Sequence, residues 1–166
     1  MIVYLLRHGE AEGIGSTAAR TDADRQLTSE GRQRLQQAKH AWRRCVGSVD
    51  RVYASTLVRA KQTSTEFARA LDYAGTIEIA DWLTPEADPD LAVRHALAEA
   101  AAGRDSIAFV GHQPHLGDVL GRLLVGHGSI PLKKGMLVGV ELDGPASASG
   151  HLVCCLSAKI AGRLDA

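Results

Sequence analysis

Two arginines and two histidines carry the chemistry this sequence offers. Arg7 and His8 end the apolar run of MIVYLLRHGEAEG, Arg59 lies in STLVRAKQT, and His112 lies in VGHQP. A guanidinium binds an oxyanion through paired N–H donors. A neutral imidazole keeps one ring nitrogen with a lone pair that can attack an electrophile. A second imidazole, protonated near neutral pH, adds a further donor. Together the four side chains can form a cradle for a phosphoryl group with a nucleophile inside it. Phosphoryl transfer depends mostly on positioning and charge stabilisation, and arginines can supply that charge without a metal. Gly9, lacking a side chain, would let the phosphate approach the backbone closely.

Other chemistries find little support. GxSxG, GxGxxG and the P-loop are all absent. His112 and His115 stand three apart with no further ligand cluster, so neither a metal nor another cofactor is expected. The chain has 166 residues, enough for one domain over 1–166 with its own core. Its 19 basic and 19 acidic residues give no net charge to draw it to nucleic acid or to a membrane surface. No apolar stretch approaches the roughly 18 residues of a membrane helix. The N-terminal run lacks a basic stretch before it and a small-residue cleavage site after it, so a cytoplasmic location is expected. The three cysteines, Cys45, Cys154 and Cys155, are then expected as reduced, buried thiols.

The elements that must position these groups alternate between strand and helix. A strand over 2–7 is followed by a long polar stretch, 11–27, and such loops tend to be functional. Thr28 or Ser29 can cap a helix reaching about Cys45, with Leu35, Ala38 and Trp42 on one face. A second strand covers 51–54, and Ser55 is placed to cap a helix that stops near Gly75. TIEIADWL at 76–83 reads as a third strand, and a helix spans about 90–102. SIAFVGH at 106–112 is a fourth strand, and 115–125 a fourth helix. MLVGVEL and HLVCCLS form a closing hairpin. Near-continuous apolar strands alternating with helices predict an α/β, three-layer α/β/α sandwich with a mostly parallel sheet and an antiparallel C-terminal hairpin. Ligands bind such sheets beyond the carboxyl ends of the strands. Arg7, His8 and His112 lie at those ends, and Arg59 lies in the first turn of a helix that follows one.

Four segments, in order along the chain, resemble the signature of the histidine phosphatase superfamily, the phosphoglycerate mutase-like fold. They are RHGE at 7–10, LTSEG at 27–31, STLVRAKQT at 55–63 and VGHQP at 110–114. The resemblance implies that His8 is a nucleophile forming a phosphohistidine intermediate. It implies that Arg7, Arg59 and His112 grip the phosphoryl oxygens. Arg25, just before QLTSEG, matches an arginine that short members add to the pocket; a solvated loop arginine is the equal alternative.

The compact length and LTPEADP at 83–89 look like the SixA-type phosphohistidine phosphatases of this family. Family members that cleave phosphate esters use a carboxylate after the third strand to protonate the leaving alkoxide. Here DWLTPEAD offers Glu86 and Asp88, neither clearly at that position, and both can be read as exposed loop carboxylates. General acid help is typically worth ~100- to 10,000-fold to a basic leaving group. A departing imidazole needs much less. A site rich in cations and poor in acid therefore points to a P–N bond, and an unobstructed rim to a phosphorylated protein such as a histidine phosphotransfer domain. The alternatives are a small-molecule phosphomonoesterase of the same fold with Glu86 as acid, and a non-catalytic module that binds phosphoproteins. Lys133 and Lys134, in GHGSIPLKKG, are expected as solvated charges.

Overall fold

The computed structural model of the protein describes residues 1–15 and 19–162. Along the chain its elements are β1 (Ile2–Arg7), α1 (Ser29–Gln37), α2 (Lys39–Val46), β2 (Arg51–Ser55), α3 (Val58–Ala70), β3 (Ile77–Ala80), a single 3-10 turn (Asp81–Leu83), α4 (Pro89–Ala101), β4 (Ser106–Gly111), α5 (His115–Val125), β5 (Leu137–Leu142), β6 (Gly150–Leu156) and a short α6 (Ala158–Ala161). The strands form one sheet in the order β3-β2-β4-β1-β5-β6. The first four in that order are parallel, β5 runs antiparallel to β1, and β6 antiparallel to β5. This is the expected sandwich with its antiparallel edge.

Side chains alternate across a strand, and β1 uses both faces. Tyr4 and Leu6 pack with Leu35, Trp42, Ala60 and Phe67 from α1, α2 and α3. Val3 and Leu5 pack with Ala92 and Ala96 of α4 and with Leu116, Val119 and Leu123 of α5. Two apolar layers cover both faces of the central strands, which is why Ile2–Leu6 of β1 and Ile107–Val110 of β4 run apolar without alternation. Trp42 and Phe67 meet edge-on at 5.6 Å in the first layer.

The helix expected from 28 to 45 is two helices joined at Ala38. There the backbone N–H bonds the carbonyl of Leu35 as well as that of Arg34, tightening the last turn of α1. Leu35, Ala38 and Trp42 are all buried, as their spacing predicts. The third strand stops at Ala80, and the chain turns through Asp81–Leu83 to bury Leu83. α3 ends at Ala70 rather than near Gly75, because Asp72 adopts a left-handed φ of 50° and Tyr73 N–H closes on the Ala68 carbonyl.

Two expectations are corrected outright. Ser55 does not cap α3: it is the last residue of β2, and the helix starts after Leu57 without a side-chain cap. The Val58 N–H is met instead by the Ala23 carbonyl. The cysteines are not buried thiols either. Cys45, at the end of α2, and Cys154, on the edge strand β6, form a disulfide, and Cys155 is exposed. Adjacent strand residues face opposite sides, so Cys154 packs on the first core layer while its neighbour faces away. Among the described residues no helix is long and apolar enough to cross a membrane.

Candidate active site

Strand register brings the two histidines together. The β1–β4 pairing runs from Ile2 opposite Ser106 to Arg7 opposite Gly111, so His8 and His112 leave the sheet side by side. The His8 N–H donates to the Gly111 carbonyl at 3.0 Å. Both histidines continue the face set by Leu6 and Val110, the face covered by α3. Their ring centroids lie 5.1 Å apart. From that helix Arg59 reaches in, with its Nε 3.3 Å from His8 Nε2. His8, Arg59 and His112 are all buried.

The His8 tautomer follows from one contact. Nδ1 lies 2.7 Å from the Gly9 carbonyl, and a carbonyl can only accept. Nδ1 therefore carries the proton, and Nε2 presents a lone pair toward the Arg59 N–H. Burial pushes the His8 pKa down to about 3; the Gly9 carbonyl opposes this, and the charges of Arg59, Arg7 and Lys134 add to it. Burial, then His8 and Arg59, push His112 down to about 2. The second histidine is thus neutral, a correction to the protonated donor expected from its type: a buried ring among cations loses its proton. His112 Nε2 contacts Ser55 Oγ at 2.9 Å, which explains why Ser55 is not free to cap α3.

Arg7 lies at the sheet rim. Its Nη1 donates to the Leu132 carbonyl at 2.6 Å. Burial lowers its pKa, Glu10 opposes, and the nearby Arg59 charge lowers it further. Arg7 Nε and His112 Nδ1 are buried without a hydrogen-bond partner among the described residues. Unpaired buried polar atoms are costly, and these two belong to side chains on the same sheet rim as His8.

The other expected residues are placed differently. Arg25 contacts the Glu12 carbonyl and Asp22 Oδ1, the latter at 2.8 Å. It connects to the other arginine through that aspartate. Gly9 is explained by packing: a Cβ there would meet Leu35 Cδ1 at 2.9 Å and Leu27 Cδ2 at 3.2 Å. That corrects the expected role of its missing side chain, which makes room for the core against α1. Glu86 is exposed in the turn after the 3-10 segment. Asp88 caps α4, accepting from the Asp90 N–H.

Four more groups complete the site; Ser55 and Thr63 bound the segment STLVRAKQT, while Asp22 and Lys134 carried no clear signal in the sequence. Asp22 takes Arg59 Nη1 on its carbonyl at 2.6 Å and Nη2 on its carboxylate at 2.8 Å. Bonds and charges from Arg25 and Arg59 hold its pKa below the usual carboxylate range. Thr63 accepts from the Gly9 N–H and donates to the Arg59 carbonyl; only its place one turn after Arg59 hinted at this. Ser55 holds His112. Lys134, expected as a solvated charge, pairs with Glu10 at 2.5 Å.

The capping segment LTSEG also has a local cause. Thr28 Oγ1 accepts from the Gly31 N–H at 2.9 Å, and the Thr28 N–H donates to the Glu10 carbonyl at 3.0 Å. A Cβ on Gly31 would lie 2.2 Å from that same carbonyl. Glycine is what lets α1 seat against the segment following His8.

Comparison with known proteins agrees with this geometry. Residues 3–84 match the sequence profile of the histidine phosphatase superfamily (branch 1). The chain is 27% identical over 143 residues to phosphohistidine phosphatase SixA of Escherichia coli strain K12, covering 86% of each chain. It is 28% identical over 130 residues to a phosphohistidine phosphatase SixA homolog of Haemophilus influenzae, covering 74% of this chain and 77% of that one. A solved structure of the protein histidine phosphatase SixA complexed with tungstate superposes with a TM-score of 0.86 at 25% identity, over 96% of this chain and 99% of that one. By profile, by curated relatives and by fold, this chain belongs to the histidine phosphatase superfamily.

Proposed function

We propose that the protein is a metal-independent phosphohydrolase that removes the phosphoryl group from phosphohistidine on a protein, through a covalent intermediate on His8. The carrying observation is the fixed tautomer: His8 Nδ1 is committed to the Gly9 carbonyl, and Nε2 faces Arg59. Neutral at physiological pH, that nitrogen needs no deprotonation before attack. The relatives named above are phosphohistidine phosphatases, and one of their structures holds tungstate, a tetrahedral oxyanion.

In the first step the His8 Nε2 lone pair forms a bond to phosphorus in line with the departing nitrogen. The P–N bond to the substrate imidazole breaks, and its electron pair stays with that ring, which takes a proton from solvent. Arg7, Arg59 and His112 hold the equatorial oxygens. Water then attacks phosphorus, the His8–P bond breaks, and inorganic phosphate leaves with the water's oxygen. Preorganised donors of this kind are typically worth ~100- to 1,000-fold each.

The substrate assignment is tested by assaying a phosphohistidine protein beside several sugar phosphates and phosphoserine. The reading requires a higher kcat/KM on the phosphohistidine protein, and Glu86→Gln should leave that rate within about twofold. Preference for the esters, with Glu86→Gln abolishing their hydrolysis, would replace it with an ester phosphatase using Glu86 as acid.

A further inference from the structure

The segment after α5 is fastened to the first strand. The Gly135 N–H reaches the carbonyls of both Arg7 and His8, at 3.1 and 3.0 Å. The Arg7 N–H donates to the Met136 carbonyl, and the Arg7 guanidinium to that of Leu132. These bonds fix the backbone on both sides of Lys134 beside the nucleophile's own backbone. The lysine ammonium pairs with Glu10, two residues after His8, and the Lys134 side chain is 38% exposed. The charge of Lys134 is felt at the His8 ring.

A lysine is a compact charge on a flexible stem. Its carboxylate partner Glu10 is itself partly exposed, so the pair is weak and exchangeable. A phosphoryl dianion arriving at His8 offers that ammonium more negative charge than Glu10 does. We propose that Lys134 is a further substrate-binding cation of this site, parked on Glu10 in the free protein and transferred to the phosphoryl oxygens when substrate binds. This rests on the phosphohydrolase reading above. Glu10 acts as a competing anion that moderates phosphate affinity, so product release is not held back by a third permanent cation.

The test measures inorganic phosphate binding by calorimetry, which needs no turnover, at about 0.05 M and about 0.5 M salt. KM and kcat are measured alongside on the phosphohistidine protein. Lys134→Met keeps the stem and removes the charge. It should weaken phosphate about 2- to 10-fold at low salt, flatten the salt dependence, and place the loss in KM rather than kcat. Lys134→Arg should restore most of the affinity, and Glu10→Gln should tighten phosphate by a similar factor. Unchanged phosphate affinity in Lys134→Met, or a loss that Lys134→Arg fails to recover, would overturn the proposal. If wild-type protein binds phosphate through Lys134 but hydrolyses nothing, the functional reading fails while this site stands.

Discussion

Arg59 Nε lies 3.3 Å from His8 Nε2, and the outer nitrogens of the same guanidinium are held by Asp22. One residue from a helix thus faces the lone pair of one just past the end of a strand, and a loop sets the angle between them. Arg59→Lys keeps the charge but cannot face His8 and Asp22 together with a planar fork. It should lower kcat about 100-fold with a smaller change in KM. Steady-state kinetics check this; a kcat within twofold of wild type would place Arg59 outside the reacting group.

Asp22 has two opposed effects. It orients Arg59, and it is an anion beside a site for anions. Asp22→Ala should therefore bind inorganic phosphate more tightly yet turn over about 10-fold more slowly, the value of a charge-assisted hydrogen bond. Asp22→Asn should fall between, since it keeps an acceptor. Phosphate inhibition constants measured with kcat separate the two effects, and a variant that loses affinity and rate together would contradict the assignment.

The histidines predict an acid-sensitive fold. The folded pKa values of His8, His112 and His115 are all lowered, chiefly by burial. The unfolded chain, with histidines near 6.5, then binds protons that the native state refuses. Stability is full above about pH 6.5 and declines as pH falls below it, toward the folded values near 3 and 2 of His8 and His112. Urea midpoints should drop steadily from pH 7 to pH 4.5. In ring-proton NMR the His8 and His112 signals should stay in place across that range. A His8 signal titrating near 6.5 would refute the neutral, buried nucleophile.

Gly31→Ala tests the seat of α1. The added methyl meets a backbone carbonyl at 2.2 Å, where nothing flexible can yield. Overpacking of this kind costs about 1–3 kcal/mol, and each kcal/mol shifts Tm by about 2–4 °C at this size. Tm should fall by several degrees in calorimetry; an unchanged Tm would mean that α1 does not seat as described.

Much of this was legible from local rules. Apolar runs mark the strands, and the sheet rule alone puts Arg7, His8 and His112 on one rim. Arg59 followed from its place in the first turn of the next helix. What escaped depended on tertiary choices. Ser55 has a capping residue's type, but His112, 57 positions away, claims its hydroxyl. Cys45 and Cys154 are 109 residues apart, and only the edge position of β6 brings them together. Asp22 and Lys134 sit in segments without periodicity, anchored by backbone bonds to Ala23 and Gly135 that no spacing reveals. The Gly9 expectation failed because the missing Cβ faces Leu35.

The central claim is that the nitrogen of His8 takes the phosphoryl group. It is tested by rapid acid-free quenching of the protein with a 32P-labelled phosphohistidine substrate, followed by peptide mapping. The account predicts an alkali-stable, acid-labile label on His8 that forms and decays at rates compatible with turnover, and no label or turnover in His8→Ala. Turnover by His8→Ala at a rate near wild type, or a label mapping to another residue, would contradict it.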